Sequence, residues 1–307
     1  MSKQYLTAHT IDDAHITDIY SLAVTPGYIV AASGASALKV WSISEAEYPL
    51  KQKLEAHSLG CHHVVASKDG KRLASAGFDG QCIIWALSDG KLIEEHRIKD
   101  SNAAGEIWAI ALSQDGQFLA STTHDGRINV WDAAASWTKI RSFETKGSFG
   151  MALDLSADGR YTATGHQNGT IYVFNNETGR LAHSLAGLVK PVRAVAISPA
   201  SRLLAAAGDS KIIALYDISS GEQIGNLSGH GAWIMTLDWS DTGEYLLSGA
   251  SDGKTKVWSI ETRTCVATHT ETDKTIWSVK WLPRTVRTEM FVAAGANRSI
   301  SLYREAS

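Results

Sequence analysis

Three observations predict an all-β fold built from seven repeated units. Short apolar runs rich in Val, Ile and Ala alternate with turn dipeptides along the whole chain, and an aromatic residue closes such a run at nearly constant spacing. No stretch carries the 3.6-residue periodicity of a long amphipathic helix.

The turns are Asp69-Gly70, Asp79-Gly80, Asp89-Gly90, Asp115-Gly116, Asp125-Gly126, Asp158-Gly159 and Asp252-Gly253. They suit tight connections, because Gly adopts positive φ and the Asp carboxylate bonds the backbone that follows. Pro is scarce inside the apolar runs, as paired strands require. The period comes from the aromatic strand ends Trp41, Trp85, Trp131, Phe174, Tyr216, Trp258 and Tyr303, which lie 44, 46, 43, 42, 42 and 45 residues apart. A repeat of about 40 to 45 residues with four short strands per unit marks the blades of a β-propeller. Six gaps define seven blades, so residues 1–307 are expected to form one seven-bladed propeller without a second domain or a long linker.

Composition narrows the function. The formal net charge of −3 lacks the basic excess needed to grip a phosphate backbone. No apolar run approaches the roughly 18 to 20 residues that span a bilayer, and the N-terminal Met1-Ser2-Lys3-Gln4-Tyr5 has no apolar signal core. Cys61, Cys82 and Cys265 are an odd number without paired spacing, which fits a reduced interior compartment, with Cys82 and Cys265 as core or strand residues.

The units resemble the WD-repeat family in detail. That family links a His before the first strand to a Ser or Thr, an Asp and a Trp through hydrogen bonds. Two units carry the full set: His57, Ser75, Asp79 and Trp85, then His230, Ser248, Asp252 and Trp258. A third keeps Ser121, Asp125 and Trp131 but has Ala103 where the His would stand. Elsewhere Asn168 and Asn297 replace Asp, and Phe174, Tyr216 and Tyr303 replace Trp. A buried Asp without donors costs several kcal/mol, so the His, Ser and Trp donors give the set a structural purpose. A catalytic Ser-His-Asp triad occurs once in a chain, whereas this set recurs at blade spacing.

After Tyr303 only Arg304, Glu305, Ala306 and Ser307 follow, so the last unit ends at its third strand. Lys3–His9 belongs to no complete unit and alternates Tyr5, Thr7 and His9 against Leu6 and Ala8. It is predicted to supply the missing outer strand and close the ring.

By the family pattern three positions per blade project onto the narrow top face. They place Tyr20, Phe78, Trp108, Phe149, Trp233 and Trp277 on that rim, with Met151, Met235 and Arg193 among them and Asp18, Glu106 and Asp209 nearby. Aromatic and Arg side chains concentrate in binding hot spots, and an exposed apolar patch marks an interaction site. The rim is the expected partner-binding surface.

Further segments resemble the small WD-repeat subunit of the superkiller complex. They include Ala14-His15, Asp18-Ile19-Tyr20-Ser21, Leu38-Lys39-Val40-Trp41, Leu59-Gly60-Cys61-His62-His63-Val64, Gly165 through Gly169-Thr170, Ile224-Gly225-Asn226-Leu227-Ser228 and the ending Tyr303-Arg304-Glu305-Ala306. The resemblance implies a non-catalytic scaffold, cytoplasmic and nuclear, in exosome-mediated 3′-5′ mRNA decay. It implies docking on a tetratricopeptide-repeat subunit that also carries an RNA helicase. Second roles lie in meiotic double-strand-break formation with a topoisomerase-like protein, or in a polymerase-associated elongation complex. The fungal partners present a Gln-Arg motif with an apolar residue nearby, which the rim and its carboxylates would receive. No cofactor, metal, membrane or direct nucleic-acid contact is implied, and the chain alone is expected to be monomeric.

Rival readings are a ubiquitin-ligase substrate receptor, which would use the same face, and a propeller hydrolase, for which no metal-binding spacing is present. Cys61-His62-His63 sits on a strand, where neighbouring side chains diverge. Base stacking on the rim aromatics would need a basic groove, and the rim charges are mainly acidic.

Overall fold

The computed structural model describes residues 3–99, 107–145, 147–270, 272–284 and 288–306. Strand β1 (Tyr5–Ile11) precedes the first blade. Blade 1 comprises β2 (Ile19–Val24), β3 (Tyr28–Ser33), β4 (Ala37–Ser42) and β5 (Leu50–Glu55), and blade 2 comprises β6 (Cys61–Ala66), β7 (Arg72–Gly77), β8 (Gln81–Ser88) and β9 (Lys91–Lys99). Blade 3 holds β10 (Ile107–Leu112), β11 (Phe118–Thr123), β12 (Ile128–Asp132) and β13 (Thr138–Phe143). Blade 4 holds β14 (Gly150–Leu155), β15 (Tyr161–His166), β16 (Thr170–Asn175) and β17 (Arg180–Ala186). Blade 5 holds β18 (Val192–Ile197), β19 (Leu203–Gly208), β20 (Ile212–Asp217) and β21 (Gln223–Ser228). Blade 6 holds β22 (Ile234–Trp239), β23 (Tyr245–Ala250), β24 (Lys254–Ser259) and β25 (Thr264–Thr270), and blade 7 holds β26 (Ile276–Trp281), β27 (Met290–Gly295) and β28 (Ile300–Glu305).

Each blade is one antiparallel four-stranded sheet, and the seventh completes its four with β1. Inner strands pack side by side around the ring, and β26 meets β2 to close it. The core lies between blades, so the middle strands are buried on both faces. Ile83 and Ile84 show this: both are wholly buried, Ile83 packing with Leu38 and Val40 of blade 1 and Ile84 with Ile110 and Leu119 of blade 3.

The closing strand runs from Tyr5 to Ile11, two residues beyond the predicted end, and pairs antiparallel with β28 from Tyr5↔Glu305 to Ile11↔Ile300. A register shift between Thr7 and His9 breaks the strict alternation expected there. Tyr5 is buried against Phe291, Trp281 and His269, at ring distances of 5.2, 6.2 and 6.2 Å. Lys3 Nζ lies 2.7 Å from Glu289, 3.1 Å from Glu305 and 4.0 Å from the Tyr245 ring centre, which ties the N-terminus to blades 6 and 7.

Candidate functional site: the top rim and the channel

The recurring Ser, His and Asp residues form architecture. In blade 2, His57 Nδ1 is 3.0 Å from Asp79 Oδ1 and its Nε2 is 3.0 Å from Ser75 Oγ, which in turn accepts Trp85 Nε1–H at 3.0 Å. Asp79 also accepts the Ser58 N–H at 2.9 Å. Burial alone would raise Asp79, but the Ser58 amide and His57 outweigh it and hold the carboxyl below the usual range. Blade 6 repeats the set, with His230 Nε2 and Trp258 Nε1 each 2.8 Å from Ser248 Oγ and Asp252 accepting the Gly231 N–H at 2.8 Å. Both serines are wholly buried and their hydroxyls are committed to these bonds, so neither is placed to meet a substrate.

The degenerate blades solve the same problem differently, which the motif alone does not reveal. A Cβ on Gly77 would sit 2.4 Å from the His57 ring, so Gly77 makes room for the imidazole. The equivalent position of blade 4 is His166, and it fills that space from the other side. Its Nε2 lies 2.9 Å from Thr164 Oγ1 and its Nδ1 2.7 Å from the Ser148 carbonyl. In blade 3, Asp125 is bonded by Thr123 and Arg127, and the buried Ser121 hydroxyl has no partner among the described residues.

What aims side chains at the channel mouth is a bulge repeated in every blade. The register of the inner strand against its neighbour slips at its second residue, as at Ile19/Ser21, Cys61/His63 and Ile276/Ser278. A bulged residue leaves the ladder and points elsewhere. The residues so released are Tyr20, His62, Trp108, Met151, Arg193, Met235 and Trp277, one per blade, and all line the central channel of about 670 Å³. Phe149 and Trp233 immediately precede inner strands, and Phe78 lies in the turn after β7.

These side chains are not scattered. Ring contacts run continuously over five blades: Trp277 to Tyr20 at 5.8 Å, Tyr20 to Phe78 at 6.1 Å, Phe78 to Trp108 at 6.4 Å, and Trp108 to Phe149 at 5.2 Å. His62 stacks on Trp108 at 5.1 Å and His124 meets Phe149 at 4.9 Å. Burial, followed by the neighbouring His63, lowers His62 to about 3, so it serves the belt as a neutral ring. Phe78 is 44% exposed, while Tyr20, Trp108, Phe149 and Trp277 are half-buried by one another. Edge-to-face pairs of this kind hold rings in fixed orientations.

The acidic residues expected beside the belt divide. Asp18 accepts Trp277 Nε1–H at 3.2 Å, and after burial its carboxylate is what pushes the Tyr20 phenol up. Asp209 is a correction to the sequence expectation: it forms a bidentate ion pair with Arg193 and is no free acceptor for an incoming Arg. Arg193 lies 4.7 Å from the Trp233 ring, a cation–π contact that joins blades 5 and 6. Trp233 is 47% exposed. Glu106 lies outside the described residues, as does Ala103.

Deeper in the channel the wall is polar on one side. Asp238 Oδ1 pairs with Lys280 Nζ at 2.8 Å and its Oδ2 accepts the Trp281 N–H at 2.7 Å. Asp154 accepts the Ile197 N–H at 2.7 Å and the Leu155 N–H at 2.9 Å, and burial pushes it up to about 6. These carboxylates stitch inner strands of adjacent blades. Sequence reading passed them over because they interrupt apolar runs without a motif. Among the described residues no group of three or more His, Cys, Asp or Glu side chains is placed to hold a metal. Cys61 bonds the His63 and Ala76 carbonyls inside the core, and burial raises its thiol and that of Cys82. Cys265 is a strand residue, as expected, but it lies exposed on β25.

Seven four-stranded blades with tetrads of this geometry define a β-propeller of the interaction-scaffold class. The chain belongs to the WD-repeat β-propeller family: a family model described as IFT122 first beta-propeller matches residues 18–305. Members of that family are typically non-catalytic. The meiotic recombination protein rec14 of Schizosaccharomyces pombe is 44% identical over 310 residues, covering 100% of this chain and 99% of that protein. The antiviral protein SKI8 of Saccharomyces cerevisiae is 27% identical over 87% of this chain and 83% of its own length. The WD repeat-containing protein SL1-17 of Schistosoma mansoni is 32% identical over 64% of each.

Proposed function

We propose that the chain works by seating short segments of partner proteins on its aromatic top rim. The observation that carries this is the unbroken file of rings from Trp277 to His124, which presents rigid apolar surface with one carboxylate, Asp18, at its end. Rigid aromatics lose little entropy on binding and dominate interface energies. A segment pairing an apolar side chain with an Arg would set the first on the belt and the second on Asp18.

The relatives favour two settings for that activity. The full-length likeness to a protein named for meiotic recombination supports a role in double-strand-break formation with a topoisomerase-like partner. The more distant likeness to SKI8, with the superkiller-type segments, supports a subunit that docks on a tetratricopeptide-repeat scaffold and through it meets an RNA helicase in exosome-mediated mRNA decay. The first setting would place the chain in the nucleus and the second in the cytoplasm.

Co-purification tests the reading. Trp108→Ala and Trp277→Ala are each expected to lose the main partner while the circular dichroism spectrum and melting curve stay those of a folded propeller. Normal partner recovery by both variants refutes the assignment of the rim. The identity of the recovered proteins separates the two settings.

A further inference from the structure

Beside the Trp277 end of the aromatic belt, a pocket of about 340 Å³ opens between blades 5, 6 and 7, lined by Arg193, Lys211, Trp233, Met235 and Trp277 among others. Two features set it apart. The first is its charge. Arg193 is held flat by Asp209 and lies against Trp233, which occupies two of its five N–H donors and leaves three. Lys211 is exposed, and its ammonium makes no hydrogen bond or ion pair among the described residues. Two cations against one carboxylate leave a net charge of +1 on an apolar, aromatic-walled hollow.

The second feature is backbone strain at the same residue. Lys211 has φ +64°, in a turn closed by its N–H on the Gly208 carbonyl. The equivalent turn position is Gly80, Gly126, Gly169 and Gly253 in blades 2, 3, 4 and 6, all at positive φ, and in blade 7 it is Arg298 at φ +65°, a second basic residue held the same way. A residue with a Cβ is disfavoured there. Strain of this kind persists only where the surrounding structure holds it, and in blade 5 it fixes Lys211 on the wall of the pocket.

We infer that this pocket is a second subsite of the rim, one that takes a carboxylate side chain of a partner segment next to an apolar residue. It rests on the reading of the rim as a peptide-binding face and adds to it the chemistry of a second anchor. A single negative charge balances the site. The carboxylate would accept from Lys211 Nζ and the free edge of Arg193, and the neighbouring apolar group would lie against Trp233 and Met235. A dianionic phosphate would overfill the charge and face Asp209.

The full chain, labelled with ¹⁵N, is titrated with N-acetyl-Phe-Glu-amide and N-acetyl-Phe-Gln-amide, in which the Glu side chain is the only charge. The indole N–H resonance of Trp233, which lies outside the belt, reports the pocket, and that of Trp277 reports where pocket and belt meet. The Glu peptide is expected to bind about three- to tenfold tighter than the Gln peptide, as one charge-assisted contact at a half-exposed site allows. Lys211→Gln should abolish that preference and Lys211→Arg should keep it. Lys211→Gly should also abolish it while raising Tm by about 2 °C, because strain is relieved as the anchor is lost. Equal binding of the two peptides by the unaltered chain, or a preference that survives Lys211→Gln, overturns the subsite. So does N-acetyl-Phe-phosphoserine-amide binding tenfold tighter than the Glu peptide. Response of the Trp108 indole regardless of charge reports the belt, so the subsite can fail while the rim reading stands. Silence of every rim indole overturns both.

Discussion

Blades 2 and 3 place the same side chain in opposite circumstances, which permits a controlled test of what the hydrogen-bonded set contributes. Ser75 Oγ serves both His57 Nε2 and Trp85 Nε1, each at 3.0 Å, and its residue is wholly buried. Ser75→Ala strands an imidazole nitrogen and an indole N–H together. A buried group left unpaired costs about 1–3 kcal/mol, so the pair should lose roughly 3 kcal/mol once some relaxation is allowed. The loosened His57 also holds Asp79, whose carboxyl fastens the loop at Ser58, so the damage reaches the top face. Ser121 is the equivalent residue of blade 3, equally buried, with no partner among the described residues for its hydroxyl. Ser121→Ala removes an unsatisfied polar group and should be neutral or stabilising by up to ~1 kcal/mol. Thermal and urea unfolding of the two variants, followed by far-UV circular dichroism, measure the difference. At this chain length the Ser75 variant should melt roughly 5 °C or more below the unaltered protein, and the Ser121 variant at or above it. Equal losses in both blades, or no loss at Ser75, would show that the bonds contribute nothing beyond packing and would refute the argument.

Two further outcomes follow from the closure and from the histidines. Tyr5→Ala empties a buried aromatic site against Phe291 and Trp281, so it should cost about 3 kcal/mol. Deletion of residues 1–10 also bares the β28 edge, and an unchanged Tm after that deletion contradicts the latch. Acid should destabilise the fold before most carboxylates titrate. Burial holds His15 and His63 down to about 4, and also lowers His57, His166 and His230. The unfolded chain takes up these protons near pH 6.5. The stability gained by keeping the rings neutral is therefore complete above that pH and drains as pH falls from about 6.5 toward 4, by ~3 kcal/mol for a group such as His15. Asp154, pushed up to about 6, protonates first in the folded state and offsets part of the loss below pH 6. A Tm that stays level between pH 7 and 4.5 refutes the account, and a His15→Gln variant should show a shallower decline.

The blade count, the all-β class and the His–Ser–Asp–Trp sets of blades 2 and 6 were legible in the sequence. Each depends on residues close along the chain: a turn needs its Gly, a strand its β-branched run, and a tetrad a fixed offset within one blade. The closing strand was legible too, because a missing fourth strand leaves an edge that must be covered. Three features were decided only by the tertiary structure. His166 replaces a distant His by entering the same space from the next strand, which no offset predicts. The rim side chains meet because a bulge recurs at one position in seven strands and the ring then brings Trp277 within 5.8 Å of Tyr20. Asp209 is silenced by Arg193, and Lys211 is left over, through contacts that depend on the curvature of the ring. Local sequence determines which strands form and where they turn. Which rim groups touch, pair or remain free depends on closing seven nearly equivalent sheets into one circle.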